Sequence, residues 1–206
     1  MEGDPASERT EAWILFDEEN LYFAFRYWDS HPERMIANEM RRDAPAVINN
    51  ENVILILDTF HERSNGVLFM VNALGGMRDE KISDEGNPNV DWNAVWSSGA
   101  RRFESGWTAE IAVPFKSLRY NPGSSQTWGV NLERTIRWKN ERVCLAPLPA
   151  SYGGQAIWKV SLAATLADLE LPPAGKRLDY AIGGLTTDRL ATRRSRTGSI
   201  ATPAST

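Results

Sequence analysis

Apolar and polar positions alternate with a period of two along most of this chain, the pattern of half-buried strands. Residues 20–29 (NLYFAFRYWD) set Leu21, Phe23, Phe25 and Tyr27 on one face and Tyr22, Ala24, Arg26 and Trp28 on the other. Residues 11–17 (EAWILFD) form the expected hairpin partner, joined through an acidic turn at 17–20. Ser30 and Pro32 suit a helix start, so a short helix is expected over about 32–40. Residues 52–58 (NVILILD) are apolar on both faces, as in a central strand covered on each side. Asn65-Gly66 follows as a hairpin signal, because both residues tolerate positive φ, and 67–72 is expected to return antiparallel to 53–58 through 64–66. After the Gly75-Gly76 break one more strand is expected at 77–83, then a loop at 84–91 (DEGNPNVD). Further strands are expected at 93–102, 106–114, 128–137 and 155–162, with no long helical pattern anywhere.

Many short strands separated by turn signals predict an all-β fold, an antiparallel β-sandwich of jelly-roll type over residues 1–170. A chain of 206 residues suits one large domain of this kind. Pro172-Pro173-Ala174-Gly175 is a breaker cluster, and a strand-like piece, 177–185 (RLDYAIGGL), follows it. From residue 186 the composition is Thr, Ser, Arg and Ala, too polar to offset the entropy of ordering. Residues 171–206 therefore read as a linker and a disordered C-terminal tail.

Charge narrows the class of partner. The 23 basic and 27 acidic residues are well mixed, the net charge is −4, and no basic stripe interleaves with aromatics, which excludes a nucleic-acid surface. Cys144 is the single cysteine, so no internal disulfide forms. No apolar run is long enough to span a membrane as a helix, and no signal-peptide pattern precedes the first strand. Eight tryptophans stand against two histidines. Indole either fills a core or offers a flat π-face with a polar handle, so a binding or structural domain is expected rather than an enzyme.

Trp13, Trp107, Trp128 and Trp158 fall in apolar strand contexts and are expected in the core. Trp92 and Trp96 bracket the segment DWNAVW four residues apart, on the same side of a strand, and are candidates either for a stacking platform or for edge packing. Trp28 shares a face with Arg26 and Tyr22 and reads as part of a solvated ladder. The carboxylates Asp79, Glu80, Asp84, Glu85, Asp91 and Glu110 read as solvated, since a glycosidase needs two of them held roughly 5–10 Å apart. The 84–93 loop is rich in oxygen ligands but has the spacing of no calcium motif. His31 and His61 are isolated, Cys144 reads as a small buried residue, and no cofactor motif is present.

The runs RTEAWILFDEENLYFAFRYWDS, RRD, NVILILDTFHERSNGVLFMVNALGGMRDEKIS, DWNAVW, GWTAEIAVPFKSLRY and QTWGVNLERTIRWKNE occur in that order. In this the chain resembles the family 9 carbohydrate-binding module-like domain over roughly 3–185. The closer resemblance is to the copy at the N-terminus of bacterial proteins that end in an outer-membrane β-barrel. The resemblance implies a non-catalytic domain linked to polysaccharide binding and carbohydrate catabolism, with no cofactor. It implies a polysaccharide or oligosaccharide and the β-barrel of the full-length protein as partners, and a periplasmic or cell-surface location at the outer membrane. The alternative is a structural or interaction domain of such a barrel protein, with no sugar ligand. Members usually open with a segment of the type Asp-Gly-x-Leu-Asp-Glu-x-x-Trp that is absent here, so the resemblance implies a fragment shortened at both ends. The stacking tryptophan of the sugar-binding members aligns near Ile48 and their arginine on Met70, and neither residue here can do that work. A second aromatic position falls near Tyr152. Trp92, Trp96 and Tyr152, with Asn72 as a polar contact, are therefore the expected sugar-binding residues.

Overall fold

A computed structural model describes residues 5–121, 123, 125–170, 180–186 and 200–201. The alternation is realised as two antiparallel sheets packed face to face. Along the chain run β1 (Thr10–Phe16), β2 (Asn20–Trp28), β3 (Asn52–Asp58), β4 (Gly66–Asn72), β5 (Met77–Ser83) and β6 (Asn87–Asn89). They are followed by β7 (Ser97–Phe103), β8 (Gly106–Pro114), β9 (Ser125–Ile136), β10 (Glu141–Cys144), β11 (Ala164–Glu170), β12 (Tyr180–Thr186) and β13 (Ile200–Ala201). The smaller sheet has the order β12-β1-β2-β8-β7, and the larger β13-β11-β9-β3-β4-β5-β6, with β10 paired to β9. The fold is the expected all-β sandwich.

Between the sheets lies the main core. Leu21, Phe23, Phe25, Trp107, Ile111 and Val113 of the smaller sheet meet Val53, Leu55, Leu57, Phe69, Trp128 and Leu166 of the larger. Trp107 and Trp128 are fully buried, as their phase predicted. Strand β3 is covered on its second face as well: Ile54, Ile56, Leu68 and Met70 pack under Val47, Ile157 and Val160 from three 3-10 segments. That explains the continuous apolar run at 53–57. On the inner side, Arg134 of β9 is buried between the sheets and ties them together. Its guanidinium donates to the carbonyls of Arg9 and Trp28 and to Thr10 Oγ1, and lies 4.9 Å from the Tyr27 ring.

Several local expectations are corrected. The helix over 32–40 is only one 3-10 turn, Pro32–Arg34. Strands β3 and β4 pair antiparallel as expected, Val53 with Val71 and Leu57 with Val67. Their connection, however, is not an Asn-Gly turn. It is capped by Asp58, whose carboxylate accepts the N–H groups of Glu62 and Arg63, and positive φ falls on His61 and Arg63. The tight hairpin turn is instead Asp84-Glu85, with φ of 49° and 54°, and it feeds the short strand β6 inside the expected loop. Residues 155–162 are not a strand: 3-10 turns at Ala150–Trp158 and Val160–Leu162 let Ile157 and Val160 cover the outer face of the larger sheet. The strand that pairs with β9 comes next, at Ala164–Glu170. Of the strand-like piece at 177–185, residues 180–185 fall in β12, paired with β1, and 177–179 lie outside the described residues. Most of the tail from 186 lies outside the described residues.

Glu51, just before β3, is fully buried, and burial pushes its carboxyl up to about 7 against an ordinary 4.5, although the Arg137 N–H it accepts and the Arg134 charge pull it down. A raised carboxyl binds its proton more tightly in the folded chain. The stability this provides is present in acid and is lost as pH rises from about 4.5 toward 7. At about 1.4 kcal/mol per unit the loss is on the order of 3 kcal/mol. Glu51→Gln is expected to remove that pH dependence and to unfold at higher urea than the parent at pH 8, but not at pH 4.5. Parallel urea curves at both pH values check this.

Candidate functional site

Trp92 and Trp96 leave the β6–β7 connection on the inner side of the sandwich and clasp Phe69, with ring centroids at 6.1 and 5.1 Å. Trp96 is buried, and its indole N–H donates to Asp79 Oδ1 at 3.0 Å. That carboxylate, itself inaccessible, also accepts Arg42 Nη2 at 2.7 Å and the Ala94 N–H at 2.6 Å. Neither face of Trp96 is free for a sugar ring, and Trp92 is half-buried. The RRD motif is therefore a structural clamp, with Arg42 its donor. Asn72 is fully buried too. Its amide donates to the Glu39 carbonyl and Asn50 Oδ1, and its oxygen accepts the N–H groups of Leu74 and Gly76. Both donors and both acceptors are used inside the loop, which leaves Asn72 nothing to offer a hydroxyl.

Tyr152 is the exposed member of the four, at 46%. It belongs to the 3-10 segment on the outer side of the larger sheet, with the Lys159 ammonium 5.2 Å from its ring. The sheet therefore stands between Tyr152 and the two tryptophans, and the four residues do not form one site. The same outer side holds Ile48, which is exposed, and Met70, which is buried under the second apolar cluster. Glu133 and Glu80 also face this side. They are three strands apart, and each carboxylate has an arginine beside it, Arg142 at Glu133 and Arg78 at Glu80. Cys144 lies beside Glu133, and burial, then that carboxylate, pushes its thiol up, so it is no nucleophile near neutral pH. Among the described residues no group of three or more His, Cys, Asp or Glu is placed to hold a metal.

A more open surface lies on the outer face of the smaller sheet. In β1 the core phase belongs to Ala12, Ile14 and Phe16, which turns Glu11, Trp13 and Leu15 outward. Trp13 is thus half-buried on the outer face and not in the core, a correction that the phase of its neighbours already carried. No second apolar cluster covers this face among the described residues, unlike the larger sheet. Leu15, Ala24, Ala112 and the ring of Tyr22 floor an open groove of about 630 Å³, rimmed by Asp17, Ser97 and Glu110. Trp13 pairs with Ala24 at its margin. The Tyr22 ring is held in place: its hydroxyl donates to Asp17 Oδ2 at 2.8 Å, while Asp17 Oδ1 accepts the N–H groups of Glu19 and Asn20. Burial works to raise the Asp17 carboxyl, and these donors outweigh it and hold it below its usual range.

Farther along β2 the face turns cationic. The Arg9 guanidinium lies 4.3 Å from the Trp28 ring centroid and that of Arg26 5.8 Å, with Phe103 edge-on at 6.4 Å. The expected ladder is present, and it carries aromatic faces. Chemically, this sheet offers apolar rings, a rim of hydroxyl and carboxylate acceptors, and arginine donors, without an activated nucleophile.

No family model and no curated protein matches the sequence. Solved structures do resemble the fold. A family 9 carbohydrate-binding module from Caldicellulosiruptor kristjanssonii in complex with glucose superposes with a TM-score of 0.54 at 14% identity, over 80% of this chain and 78% of that one. A Bacteroides uniformis protein with a provisional carbohydrate-binding assignment gives 0.52 at 7% identity, over 65% of this chain and 68% of that one. The family 9 module in complex with cellotriose gives 0.46 at 13% identity, over 69% of this chain and 66% of that one. At these identities the likeness establishes a fold like that of the family 9 modules.

Proposed function

We propose that this chain is a non-catalytic carbohydrate-binding domain, linked to carbohydrate catabolism, that takes a saccharide by stacking and side-chain hydrogen bonds. Its setting is the periplasm or cell surface, beside the outer-membrane β-barrel of a longer protein. The observation that carries the reading is the solvent-open face of the smaller sheet, where a held tyrosine ring and half-buried Trp13 adjoin a rim of polar side chains. A sugar ring lays its C–H face on such a ring and needs polar partners at the edge for its hydroxyls. The likeness of the fold to a glucose-bound module supports the same reading. Tyr152 is a second stacking position, on the opposite side of the molecule.

A glycan array followed by titration with tryptophan fluorescence tests this. Tyr22→Ala is expected to weaken binding by roughly 1–3 kcal/mol, as for an anchoring aromatic, with little loss of stability. If Tyr152→Ala abolishes binding and Tyr22→Ala leaves it intact, the site belongs on the other face. The burial of Trp96 and Asn72, with Ile48 and Met70 at the aligned contact positions, favours a second reading, a structural domain of a barrel protein that binds no sugar. An array without a single hit establishes that second reading.

A further inference from the structure

The cationic end of the smaller sheet is a second, smaller groove of about 340 Å³ lined by Arg26, Trp28, Arg101, Phe103 and Thr108. Register explains the cluster. Arg26, Thr108 and Arg101 lie in one row across β2, β8 and β7, and Trp28, Gly106 and Phe103 in the next. Arg26 and Arg101 are two strand spacings apart, about 9–10 Å between backbones, so both long side chains can meet over Thr108. Arg9 adds a third guanidinium at the Trp28 ring. Two carboxylates neighbour these three positive groups, Glu11, which is bound to Arg9, and Glu110, one row along β8 from Thr108, and neither forms an ion pair with Arg26 or Arg101 among the described residues. Arg26 and Arg101 are exposed and have no hydrogen-bond acceptor or ion-pair partner for their guanidinium groups among the described residues.

A chain of net charge −4 thus concentrates unmatched arginine at one place, beside two aromatic rings and on the same sheet face as the groove of Tyr22. Guanidinium groups prefer a planar, bidentate partner, which a carboxylate supplies and a neutral hydroxyl does not. Aromatic faces beside them fit the apolar side of a ring that carries that carboxylate. From Tyr22 to Trp28 the face runs along β2 for about 20 Å, long enough for several sugar units. We infer that the saccharide taken by this domain is acidic. A uronate-bearing oligosaccharide lies along β2, with one carboxylate held by Arg26 and Arg101 next to Trp28 and Phe103. The inference rests on the sugar-binding reading above and names the class of sugar.

Titration of the full chain with oligogalacturonate, oligoalginate, methyl-esterified oligogalacturonate, cellohexaose and poly-glutamate tests it. The two uronate probes separate galacturonate from mannuronate and guluronate sources of the same carboxylate chemistry. At least one acidic oligosaccharide is expected to bind tenfold or more tightly than the methyl ester and cellohexaose. Arg26→Ala and Arg101→Ala are each expected to weaken that binding at least tenfold, with unchanged melting temperature because both side chains are exposed. Poly-glutamate is expected to bind far more weakly than the acidic sugar, and equal binding would overturn the inference by showing that charge alone is read. Neutral probes that bind as tightly as the acidic ones, or arginine variants that bind as the parent does, overturn it while leaving sugar binding intact. If no saccharide binds at all, both readings fall together.

Discussion

Replacing Asp79 by alanine is expected to cost roughly 3–5 kcal/mol of stability, the range for removing one partner of a buried charged network. Its side chain has no solvent exposure and accepts from Arg42, from the Trp96 indole and from the Ala94 backbone. Trp96 and Ala94 are both buried, and neither of those N–H groups has another acceptor among the described residues if the carboxylate goes. Each buried donor left without a partner costs about 1–3 kcal/mol. Arg42 differs, because its side chain is 37% exposed and can turn to water. Arg42→Ala nevertheless leaves the inaccessible Asp79 carboxylate without its cation, so it should cost a comparable amount although the carboxylate keeps its other two donors. Urea unfolding of both single variants and the double variant gives the coupling directly. If Asp79→Ala unfolds within 1 kcal/mol of the parent, the clamp is not what holds Trp96 inward. The functional consequence is a negative one that matters: an indole fixed by this carboxylate is part of the frame, and sugar contacts must be sought elsewhere.

That misplacement shows where sequence reading stops. Spacing puts Trp92 and Trp96 on one side of a strand; they do share a side, but in the β6–β7 connection and not in a strand, and spacing cannot say which side faces the partner sheet. The answer depends on Asp79, more than a dozen residues away, and its hydrogen bonds pull the indole inward. Asn72 was equally ambiguous. An asparagine at the end of a strand can serve a ligand or a turn, and here four hydrogen bonds tie it to the 72–76 turn and the 39–50 segment. Trp13 is legible from phase: Ala12 and Ile14 belong to the face that pairs with Phe25 and Phe23, so Trp13 between them must point out. The apolar run of 155–162 carried a different ambiguity. Ile157 and Val160 cover a sheet from outside, and apolar content alone does not separate such a cover from a strand. Strands β2, β3, β4, β5 and β8 were legible because alternation, or continuous apolarity between two cores, is set by burial itself. The arginine groove was not, since Arg26 and Arg101 meet only through the pairing of β2, β8 and β7.

The same pairing makes Gly106→Ala the most disruptive small substitution expected in this chain. Gly106 opens β8, sits opposite Trp28 on β2 and Phe103 on β7, and has φ of 159°. A Cβ there would lie 1.8 Å from the Tyr27 carbonyl oxygen, 2.9 Å from its carbon and 3.0 Å from the Phe103 ring. The first contact is with backbone, so no side-chain rotation relieves it, and β2 and β8 must separate at the end where Asp29 N–H reaches the Ser105 carbonyl. Overpacking costs typically 1–3 kcal/mol, and a disfavoured backbone conformation adds a similar amount, so the loss should be roughly 3–5 kcal/mol. For a domain of this size that is a fall in melting temperature of about 10 °C or more. Gly99→Ala on β7 is the matched control. No atom lies within 4 Å of the Cβ it would add, so the variant should melt within about 2 °C of the parent. The damage from Gly106→Ala should also reach the proposed site, because Trp28 and Phe103 flank the shifted strand end and form one wall of the arginine groove. If Gly106→Ala melts like Gly99→Ala, the approach of β2 to β8 is looser than described, and the register that brings Arg26 and Arg101 together loses its support.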